Sequence, residues 1–372
     1  MKKKTIVCVV GARPNFMKMA PIIKELRILK DYVNPYLVHT GQHYDQAMKA
    51  SFFQQLGIPE PDIDLGVGSG SHSEQTANIM LRFEPVLDKV KPCAVLVVGD
   101  VNSTIACSLV AVKKQIPILH VEAGLRSRDR EMPEEINRIL TDQISDRLFT
   151  TERSAEKNLI DEGIESARIH FVGNVMIDSL LANLEQAIPF AETLKSYQKI
   201  NSIQQGHYAL LTMHRPSNVD DPHILKELLQ SILEISQKLP VIFPIHPRTR
   251  NRIEQDGLSD LVNSDNIISL PPVGYLQMLG LMKSAKMVLT DSGGLQEETT
   301  SLGIPCVTLR ENTERPITVE QGTNTIVGTD PEKIKACVDD ILATGGKLGR
   351  IPEYWDGKAA LRIVADIKRL YL

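Results

Sequence analysis

Short apolar runs that alternate with longer amphipathic stretches constrain the fold of this 372-residue chain more than any other feature. The runs are rich in β-branched residues and nearly continuous in apolar character, as expected of strands buried on both faces of a parallel sheet. In the first half, the predicted strands are Thr5–Val10, Val33–His39, Ala94–Gly99, Ile118–Val121, Arg147–Thr150 and His170–Val172. Helical patterns such as Met17–Leu29, Glu74–Val90 and Glu134–Ile144 lie between them and would supply the crossovers.

The same alternation starts again after a polar stretch around 173–205. Its predicted strands are Tyr208–Thr212, Pro240–Pro244, Ile267–Leu270, Met287–Thr290 and Cys306–Leu309. Its predicted helices are Pro222–Lys238, Gly274–Ser284 and Leu295–Leu302, and a last helix covers Lys358–Leu372. The chain is therefore expected to be an α/β protein with two parallel-sheet domains. Open sheets of this kind bind ligands at the carboxyl ends of their strands, so we expect the ligand in an interdomain cleft.

Composition excludes several classes of protein. The 42 Lys and Arg residues against 46 Asp and Glu give a net charge of −4, which argues against a partner bound by bulk positive charge, such as nucleic acid. Five scattered cysteines form no C-x-x-C pair, so metal and redox motifs lack their spacing. No apolar run approaches the 18 or so residues of a membrane span. The apolar run that follows Met1–Lys4 is short and ends at Arg13-Pro14, which favours a first strand over a signal peptide, and a cytoplasmic protein is expected.

Gly11–Lys18 is the first of three segments with the residues for binding or catalysis. It follows the first strand and opens a helix, and Arg13 and Lys18 flank the helix N-terminus. This combination suits an anionic ligand. The segment lacks both G-x-G-x-x-G and the Walker pattern, so neither NAD nor ATP is indicated. A tight turn with two solvated cations is the alternative.

The second segment, Thr290–Glu298, also runs from a strand into a helix. Ser292, Gly293 and Gly294 would present backbone N–H groups and a hydroxyl to a diphosphate. Glu298, one turn further, could accept hydrogen bonds from two ribose hydroxyls. A helix capped by its own Ser or Asp, with Glu three residues later, is the alternative.

Carboxylates at the ends of neighbouring strands form the third group. Asp100 and Glu122 each follow a predicted strand, and Glu134 and Glu135 open a helix after Pro133. Acid/base chemistry in one cleft is the favoured interpretation. A metal site is a weaker interpretation, because no histidines lie at the spacing of metal ligands. Helix capping is a further alternative, but it would explain only Glu134 or Glu135.

Two histidines, each beside an arginine, complete the set. His214-Arg215 and His246-Pro247-Arg248 both follow strands of the second half. One histidine of this kind is more often structural, but two such loops favour anion binding.

Together these segments resemble the non-hydrolysing UDP-N-acetylglucosamine 2-epimerases, from Gly11 to about Gly328. The matching motifs are Gly11–Lys18, Thr40–His43, Gly99-Asp100, His120–Arg126, Pro133–Arg138, Gly173–Asp178, His214-Arg215, Asp291–Glu298 and Glu314–Pro316. The resemblance implies a GT-B fold, in which the last helix crosses back onto the first of two Rossmann-like domains. The expected boundaries are 1–172 plus 358–372 for the first domain and 173–357 for the second. It also implies that UDP-GlcNAc and UDP-ManNAc interconvert through UDP elimination to 2-acetamidoglucal and re-addition, without a cofactor.

The resemblance also assigns roles to residues. Its expected catalytic residues are Asp100, Glu122, Glu134 and His214, and its expected substrate-binding residues are Arg13, Lys18, Arg138, His246, Met278, Ser292, Gly293, Gly294, Glu298 and Arg315. A second UDP-GlcNAc, as activator, would involve Gln42, His43 and Arg215, and a homodimer is expected.

The chain departs from the family pattern at Ser217, where relatives carry an acid, at Arg248, where they carry Asn, and in a shorter 127–132 loop. These departures concern the sugar substituent and the activator. A hydrolysing relative that releases UDP and a ManNAc-type sugar, a GT-B glycosyltransferase and a catalytically idle sugar-nucleotide sensor are the alternatives.

Overall fold

Two parallel sheets contain all the strands found in residues 3–41, 57–196 and 203–371, the part of the chain that this computed structural model describes. Each sheet is the centre of one compact unit. Met1–Ala182 together with Glu353–Leu372 form the first unit, and Asn183–Pro352 form the second. The predicted fold class, two Rossmann-like parallel-sheet domains, is confirmed.

The sheet of the first unit has seven strands in the order β3-β2-β1-β4-β5-β6-β7. They are β1 (Lys4–Val10), β2 (Val33–His39), β3 (Ile63–Asp64), β4 (Ala94–Val98), β5 (Ile118–Ala123), β6 (Arg147–Thr150) and β7 (Ile169–Phe171). The helices that cover it are α1 (Arg13–Ile28), α2 (His72–Val90), α3 (Asn102–Lys113), α4 (Pro133–Ile144), α5 (Arg153–Asp161) and α6 (Val175–Asn183), with a 3₁₀ turn at Ser166–Arg168. The apolar faces of α2 and α3 pack on the sheet around Phe83 and Val97.

The sheet of the second unit has six strands in the order β10-β9-β8-β11-β12-β13. They are β8 (Ala209–Thr212), β9 (Val241–Pro244), β10 (Ile267–Leu270), β11 (Met287–Thr290), β12 (Cys306–Thr308) and β13 (Asn324–Ile326). Its helices are α7 (Phe190–Ser196), α8 (Pro216–Val219), α9 (Pro222–Ser236), α10 (Pro247–Gln255), α11 (Tyr275–Lys283), α12 (Gly293–Leu302), α13 (Pro316–Glu320) and α14 (Pro331–Thr344). Two 3₁₀ turns lie at Leu184–Gln186 and Ser259–Leu261. Leucines and isoleucines of α9 fill the core against β8 and β9.

Both sheets reverse their strand order at one central position. In the first unit β1 lies between β2 and β4, and in the second β8 lies between β9 and β11. Connections on the two sides of such a point run in opposite directions and leave a crevice at the carboxyl ends of the two central strands. The loops after β1 and β4 therefore define one candidate binding position, and the loops after β8 and β11 define another.

The last helix, α15 (Ala359–Tyr371), belongs to the first unit and packs on α1, as the resemblance implied. Its N-terminus is capped by the Asp178 carboxylate, which accepts the N–H groups of Ala359 and Ala360 at 3.1 and 2.7 Å. The Ser179 hydroxyl donates to the carbonyl of Met17 in α1.

The division into compact units differs from the expected domain boundaries by a few residues at each end. The compact units change at 182/183 and 352/353 and place nearly all of α6 in the first unit, whereas the expected domain boundaries are 172/173 and 357/358. Across the described ranges, each helix is too short or too polar to cross a membrane.

Candidate active site

The loop after β1 is held in place by Asn15. Its side-chain oxygen accepts the N–H groups of Gly11 and Ala12 at 3.2 and 3.0 Å, and its amide nitrogen donates to the Val98 carbonyl at 3.0 Å. One buried side chain therefore fixes the turn after β1 to the end of β4. Sequence reasoning singled out the loop but not this residue.

A buried ion pair joins the first turns of α1 to the end of β5. The ammonium group of Lys18 contacts the Glu122 carboxylate, and both side chains are almost completely buried. Glu122 has a φ of 70° and sits where the register between β5 and β6 shifts, so it is a bulged residue in the left-handed region. Such backbone strain persists only where the surroundings enforce it, and it is concentrated at functional sites.

Gly99 provides the space for this pair. A Cβ atom at Gly99, whose φ is 68°, would lie 3.0 Å from the Lys18 Nζ and 3.1 Å from Glu122 Oε2. The backbone at the end of β4 therefore approaches the ion pair closely, and any larger residue would require Lys18 or Glu122 to shift.

A second chain of charges leads from Asp100 into α4. Arg138 Nη1 donates to Asp100 Oδ2 at 2.5 Å, while Nε and Nη2 of the same guanidinium donate to Glu135 Oε2 at 2.9 and 2.7 Å. Burial alone would raise the pKa of Glu135, but hydrogen bonds from the Ser127 N–H and from Arg138 outweigh it and lower the pKa. Arg138 is thus fixed between two carboxylates, and Glu135 was not predicted to hold it.

Glu134 precedes this pair in the first turn of α4 and is half-buried. Asn137, one turn on, donates to the Asp100 carbonyl at 2.9 Å. The first unit therefore places Asp100 and Glu122 at adjacent strand ends, with the start of α4 tied to Asp100.

A fully buried hydrogen-bond network connects the ends of β4 and β5 to α4. His120 Nε2 is 2.9 Å from the Gly99 carbonyl, and its Nδ1 is 2.7 Å from Asp142 Oδ1. The other carboxylate oxygen of Asp142 accepts the Gly124 N–H at 3.1 Å and lies 2.8 Å from Arg126 Nη2. Burial would raise the pKa of Asp142, but His120 and Arg126 lower it. Sequence reasoning missed Asp142. A polar His120 inside an apolar strand was the available signal, since a buried imidazole needs a partner.

In the second unit, two imidazole rings lie against each other beyond the ends of β8 and β9. The ring centroids of His214 and His246 are 5.4 Å apart, and the rings are tilted by 39°. The backbone N–H of Arg248 donates to His246 Nδ1 at 3.2 Å, which caps α10. His214 Nδ1 lies 3.0 Å from Oδ1 of the buried Asp291, which follows β11.

Helix α12 starts at the other side of this crevice. Its first residues are Gly293 and Gly294, and Ser292 is at the N-cap. In the described part of the chain the Ser292 side chain does not cap the helix; instead its backbone N–H donates to Thr290 Oγ1 at 2.9 Å. Capping of α12 by the Ser292 side chain, the alternative weighed for this segment, is therefore not observed.

Glu298, one turn into α12, is buried and partnered by α11. Its Oε1 accepts the Tyr275 hydroxyl at 3.1 Å. Burial raises the pKa of Tyr275, and the nearby Glu298 charge adds to that effect. Met278, an expected substrate-binding residue, lies within α11, and its N–H donates to the Gly274 carbonyl at 2.9 Å.

Buried opposite charges line the start of α12. Arg315 Nε lies 2.7 Å from Glu297 Oε1, and Arg310 Nη1 lies 3.0 Å from Glu314 Oε2. The guanidinium of Arg215 is 3.8 Å from the other Glu314 oxygen. Burial would raise the pKa of Glu314, but these arginines outweigh it and lower the pKa to about 2. Of this cluster, Arg315 and Arg215 were expected as site residues, Glu297 and Glu314 lay within matching motifs without an assigned role, and Arg310 was not selected.

Several expected site residues cannot be placed. Gln42 and His43 lie outside the described residues, and the same is true of the Arg13 side chain, although Arg13 begins α1. Over the described ranges, no group of three or more His, Cys, Asp or Glu side chains is arranged to hold a metal ion.

Comparison with known proteins identifies the family. The family model for UDP-N-acetylglucosamine 2-epimerase matches residues 27–368. The UDP-N-acetylglucosamine 2-epimerase of Methanococcus maripaludis is 46% identical over 337 residues, which are 90% of each chain. The UDP-2,3-diacetamido-2,3-dideoxy-D-glucuronate 2-epimerase of Pseudomonas aeruginosa is 42% identical over 372 residues, with 98% of this chain and 99% of that one covered.

The fold agrees with the sequence match. The crystal structure of Methanocaldococcus jannaschii UDP-GlcNAc 2-epimerase in complex with UDP-GlcNAc and UDP superimposes with a TM-score of 0.89 at 42% identity. The match covers 98% of this chain and 99% of that one. The resemblance is thereby confirmed over nearly the whole length: the chain belongs to the UDP-N-acetylglucosamine 2-epimerase family and is an isomerase.

Proposed function

We propose that this protein interconverts UDP-GlcNAc and UDP-ManNAc without hydrolysing them. The observation that carries the proposal is that the two crevices, one at the central strands of each sheet, contain different kinds of functional group. The first unit gathers carboxylates at the ends of β4 and β5, whereas the second gathers a helix N-terminus, two histidines and arginines after β8, β9 and β11. The Methanocaldococcus jannaschii relative is described with UDP-GlcNAc and UDP bound, which supports a UDP-sugar as ligand.

The first unit supplies the chemistry at carbon 2. Moving a poorly acidic C–H proton off one face and back onto the other requires more than one acid/base group. Asp100, Glu122 and Glu134 form that set. Lys18 and Arg138 offset the charge on Glu122 and Asp100 and hold these carboxylates in place, and Arg13 begins the helix that carries Lys18.

The second unit holds the nucleotide. Ser292, Gly293 and Gly294 present the start of α12 to the diphosphate, with His246 and Arg315 completing the site. Glu298 binds the ribose hydroxyls, and Tyr275 orients its carboxylate. His214 exchanges a proton with the oxygen of the leaving diphosphate.

The reaction proceeds in two steps. A carboxylate removes the carbon 2 proton while the bond between carbon 1 and the diphosphate oxygen breaks, which gives 2-acetamidoglucal and UDP. UDP then adds back to carbon 1, and a carboxylic acid returns a proton to the opposite face of carbon 2. Retained UDP is essential, because an enzyme that lost it would release the sugar.

Incubation of the purified protein with UDP-GlcNAc in deuterated water tests the proposal. The expected products are UDP-GlcNAc and UDP-ManNAc, both with deuterium at carbon 2, resolved by chromatography and NMR. Free ManNAc with UDP would identify the hydrolysing alternative, and unlabelled epimer would exclude a proton shuttle. No conversion in the presence of tight UDP binding would favour the sensor.

A second substrate has a specific observation in its favour. The Pseudomonas aeruginosa relative, named for UDP-2,3-diacetamido-2,3-dideoxy-D-glucuronate, covers almost all of this chain at 42% identity. Parallel kcat/KM measurements on both sugar nucleotides decide between them, and we expect UDP-GlcNAc to be preferred.

Homodimer formation and activation by a second UDP-GlcNAc near Gln42, His43 and Arg215 are further parts of the proposal. Light scattering measures the first. Initial rates of the reverse reaction, with and without added UDP-GlcNAc, measure the second.

A further inference from the structure

We propose that Asp291 is the positioning residue for His214: it fixes the imidazole with its proton on Nδ1 and leaves Nε2 to exchange a proton with the substrate. This inference rests on the proposed function for its kinetic consequence. Its structural content, the state of one ring, can be measured without any substrate.

Strand pairing brings the two residues together. β8 and β11 are adjacent and parallel, with Leu211 opposite Leu289 and Thr212 opposite Thr290. The residues that follow the two strands consequently emerge side by side at the switch point. Asp291 comes directly after β11 and its side chain is completely buried.

One oxygen of Asp291 is occupied by backbone donors. Its Oδ2 accepts the N–H groups of His214 and Arg215, both at 2.8 Å, and the amide of Asn218 at 3.3 Å. Burial alone would raise the pKa of Asp291, but His214 and these N–H groups lower it, so the carboxylate is ionised. With Oδ2 anchored in this way, the carboxylate cannot rotate about its own axis.

The other oxygen then determines the state of the ring. Oδ1 lies 3.0 Å from His214 Nδ1. Oδ1 accepts no hydrogen bond from the described residues in this ring orientation. An ionised carboxylate can only accept hydrogen bonds, so a small rotation of the ring that points a proton on Nδ1 at Oδ1 satisfies both groups. The His246 ring packs against the same imidazole, and its own orientation is set by the Arg248 N–H. His214 is therefore held from two directions.

This arrangement defines what His214 can do. In the cationic ring, Nε2 gives its proton to the diphosphate oxygen as that oxygen takes the electron pair of the bond to carbon 1. On re-addition the oxygen attacks carbon 1 and the proton returns to Nε2. The Asp291 carboxylate remains ionised throughout and only stabilises the ring.

Asp291→Asn is a sharp test because the amide would place a hydrogen-bond donor, in place of an acceptor, next to His214 Nδ1. The two backbone N–H groups need an acceptor, so they claim the amide oxygen, and the NH₂ group must then face His214 Nδ1. Nδ1 becomes an acceptor and the proton moves to Nε2. Asp220→Asn is the matched control, since Asp220 pairs with Arg248 and Arg252 at the surface nearby.

The direct measurement is long-range ¹H–¹⁵N NMR of the histidine rings, at a pH where they are neutral. The His214 signals are identified by their loss in His214→Gln. We expect the Nδ1–H tautomer in the wild type and in Asp220→Asn, and the Nε2–H tautomer in Asp291→Asn. An Nε2–H tautomer in the wild type overturns the inference, whether or not any variant folds poorly.

Kinetics provide the second readout. Asp291→Asn is expected to lower kcat by roughly 10²–10⁴-fold with KM changed only a few-fold. In the His214→Gln background it should lower kcat no further. Full activity in Asp291→Asn, or additive losses in the double variant, overturns the inference. A wild type that leaves UDP-GlcNAc unchanged contradicts the proposed function instead, while the NMR result still decides the ring.

Discussion

Lys18 and Glu122 are 104 residues apart in the chain, yet their side chains meet as a buried ion pair at the centre of the first crevice. Neither partner has much access to water, so each depends on the other for compensation of its charge. Several of the variants that best test the site therefore concern this pair and the residues around it.

Replacing Lys18 with Met should destabilise the first unit strongly, because the Glu122 carboxylate stays buried without its ammonium partner. Breaking a buried pair costs about 3–5 kcal/mol in the free energy of unfolding. Urea unfolding followed by fluorescence of Trp355, the single tryptophan, reports on this unit alone. Lys114→Met, which removes an exposed pair with Asp88, should change little. The double variant Lys18→Met/Glu122→Gln should regain part of the loss, and a double variant less stable than Lys18→Met would contradict this account.

Gly99→Ala should lower turnover by crowding the same pair. Alanine at a φ of 68° carries a backbone cost of about 1–2 kcal/mol, and its Cβ would lie 3.0 Å from the Lys18 ammonium. Gly163→Ala is the matched control, because Gly163 has a φ of 84° with no atom within 4 Å of an added Cβ among the described residues. We expect similar backbone penalties in thermal unfolding but reduced kcat only in Gly99→Ala. Equal kcat values in the two variants would show that the approach to Lys18 and Glu122 is unimportant.

Tyr275→Phe should weaken UDP binding. The hydroxyl orients Glu298 through a hydrogen bond to a charged group, which is worth about 1.5–3 kcal/mol, so calorimetry should give a Kd that is higher by about tenfold to 150-fold. Tyr208→Phe is the control: its hydroxyl is also buried, but it donates to the Leu281 carbonyl. Unchanged UDP affinity in Tyr275→Phe would remove Tyr275 from the nucleotide site.

Glu314 should make the second unit sensitive to acid. Its pKa is held at about 2 in the folded chain, against an ordinary value of 4.5, so unfolding takes up a proton between these limits. The stability that Glu314 supplies is thus complete above about pH 5 and is lost as the pH falls towards 2, with a slope of at most about 1.4 kcal/mol per pH unit.

Urea unfolding followed by far-ultraviolet circular dichroism, at several pH values, measures this effect. The difference in unfolding free energy between the wild type and Glu314→Gln should shrink as the pH is lowered. A difference that stays constant from pH 6 to pH 3 would mean that Glu314 is not ionised in the folded unit.

Much of the fold was predictable because its strands are short, apolar and separated by turn residues. Val33–His39, Arg147–Thr150, Ile267–Leu270 and Met287–Thr290 were predicted with the observed bounds. The two-residue strand β3 and the strand Asn324–Ile326 are too short and too polar to produce a pattern. Helix α3 was not named, because nearly all of its residues are buried and it therefore lacks an amphipathic period.

The site was predictable where residues follow strands, and not where they meet across the fold. Asp100, Glu122 and His214 were identified by their positions after apolar runs. The carboxylates that hold neighbouring groups, Glu135 on Arg138, Asp142 on His120 and Asp291 on His214, depend on which helices and strands pack together, and local spacing does not contain that information. The short-range signals available were the polar His120 in an apolar strand and the charged run that ends at Arg315.

The return of the chain from the second unit to the first has a consequence for synthesis. Domains usually fold in the order in which they leave the ribosome. Here the Asp178 carboxylate and α1 contact the helix Ala359–Tyr371, which is translated only after the whole second sheet. The unit that is synthesised first is therefore the last to be completed, and burial of Trp355 reports when its C-terminal segment has docked.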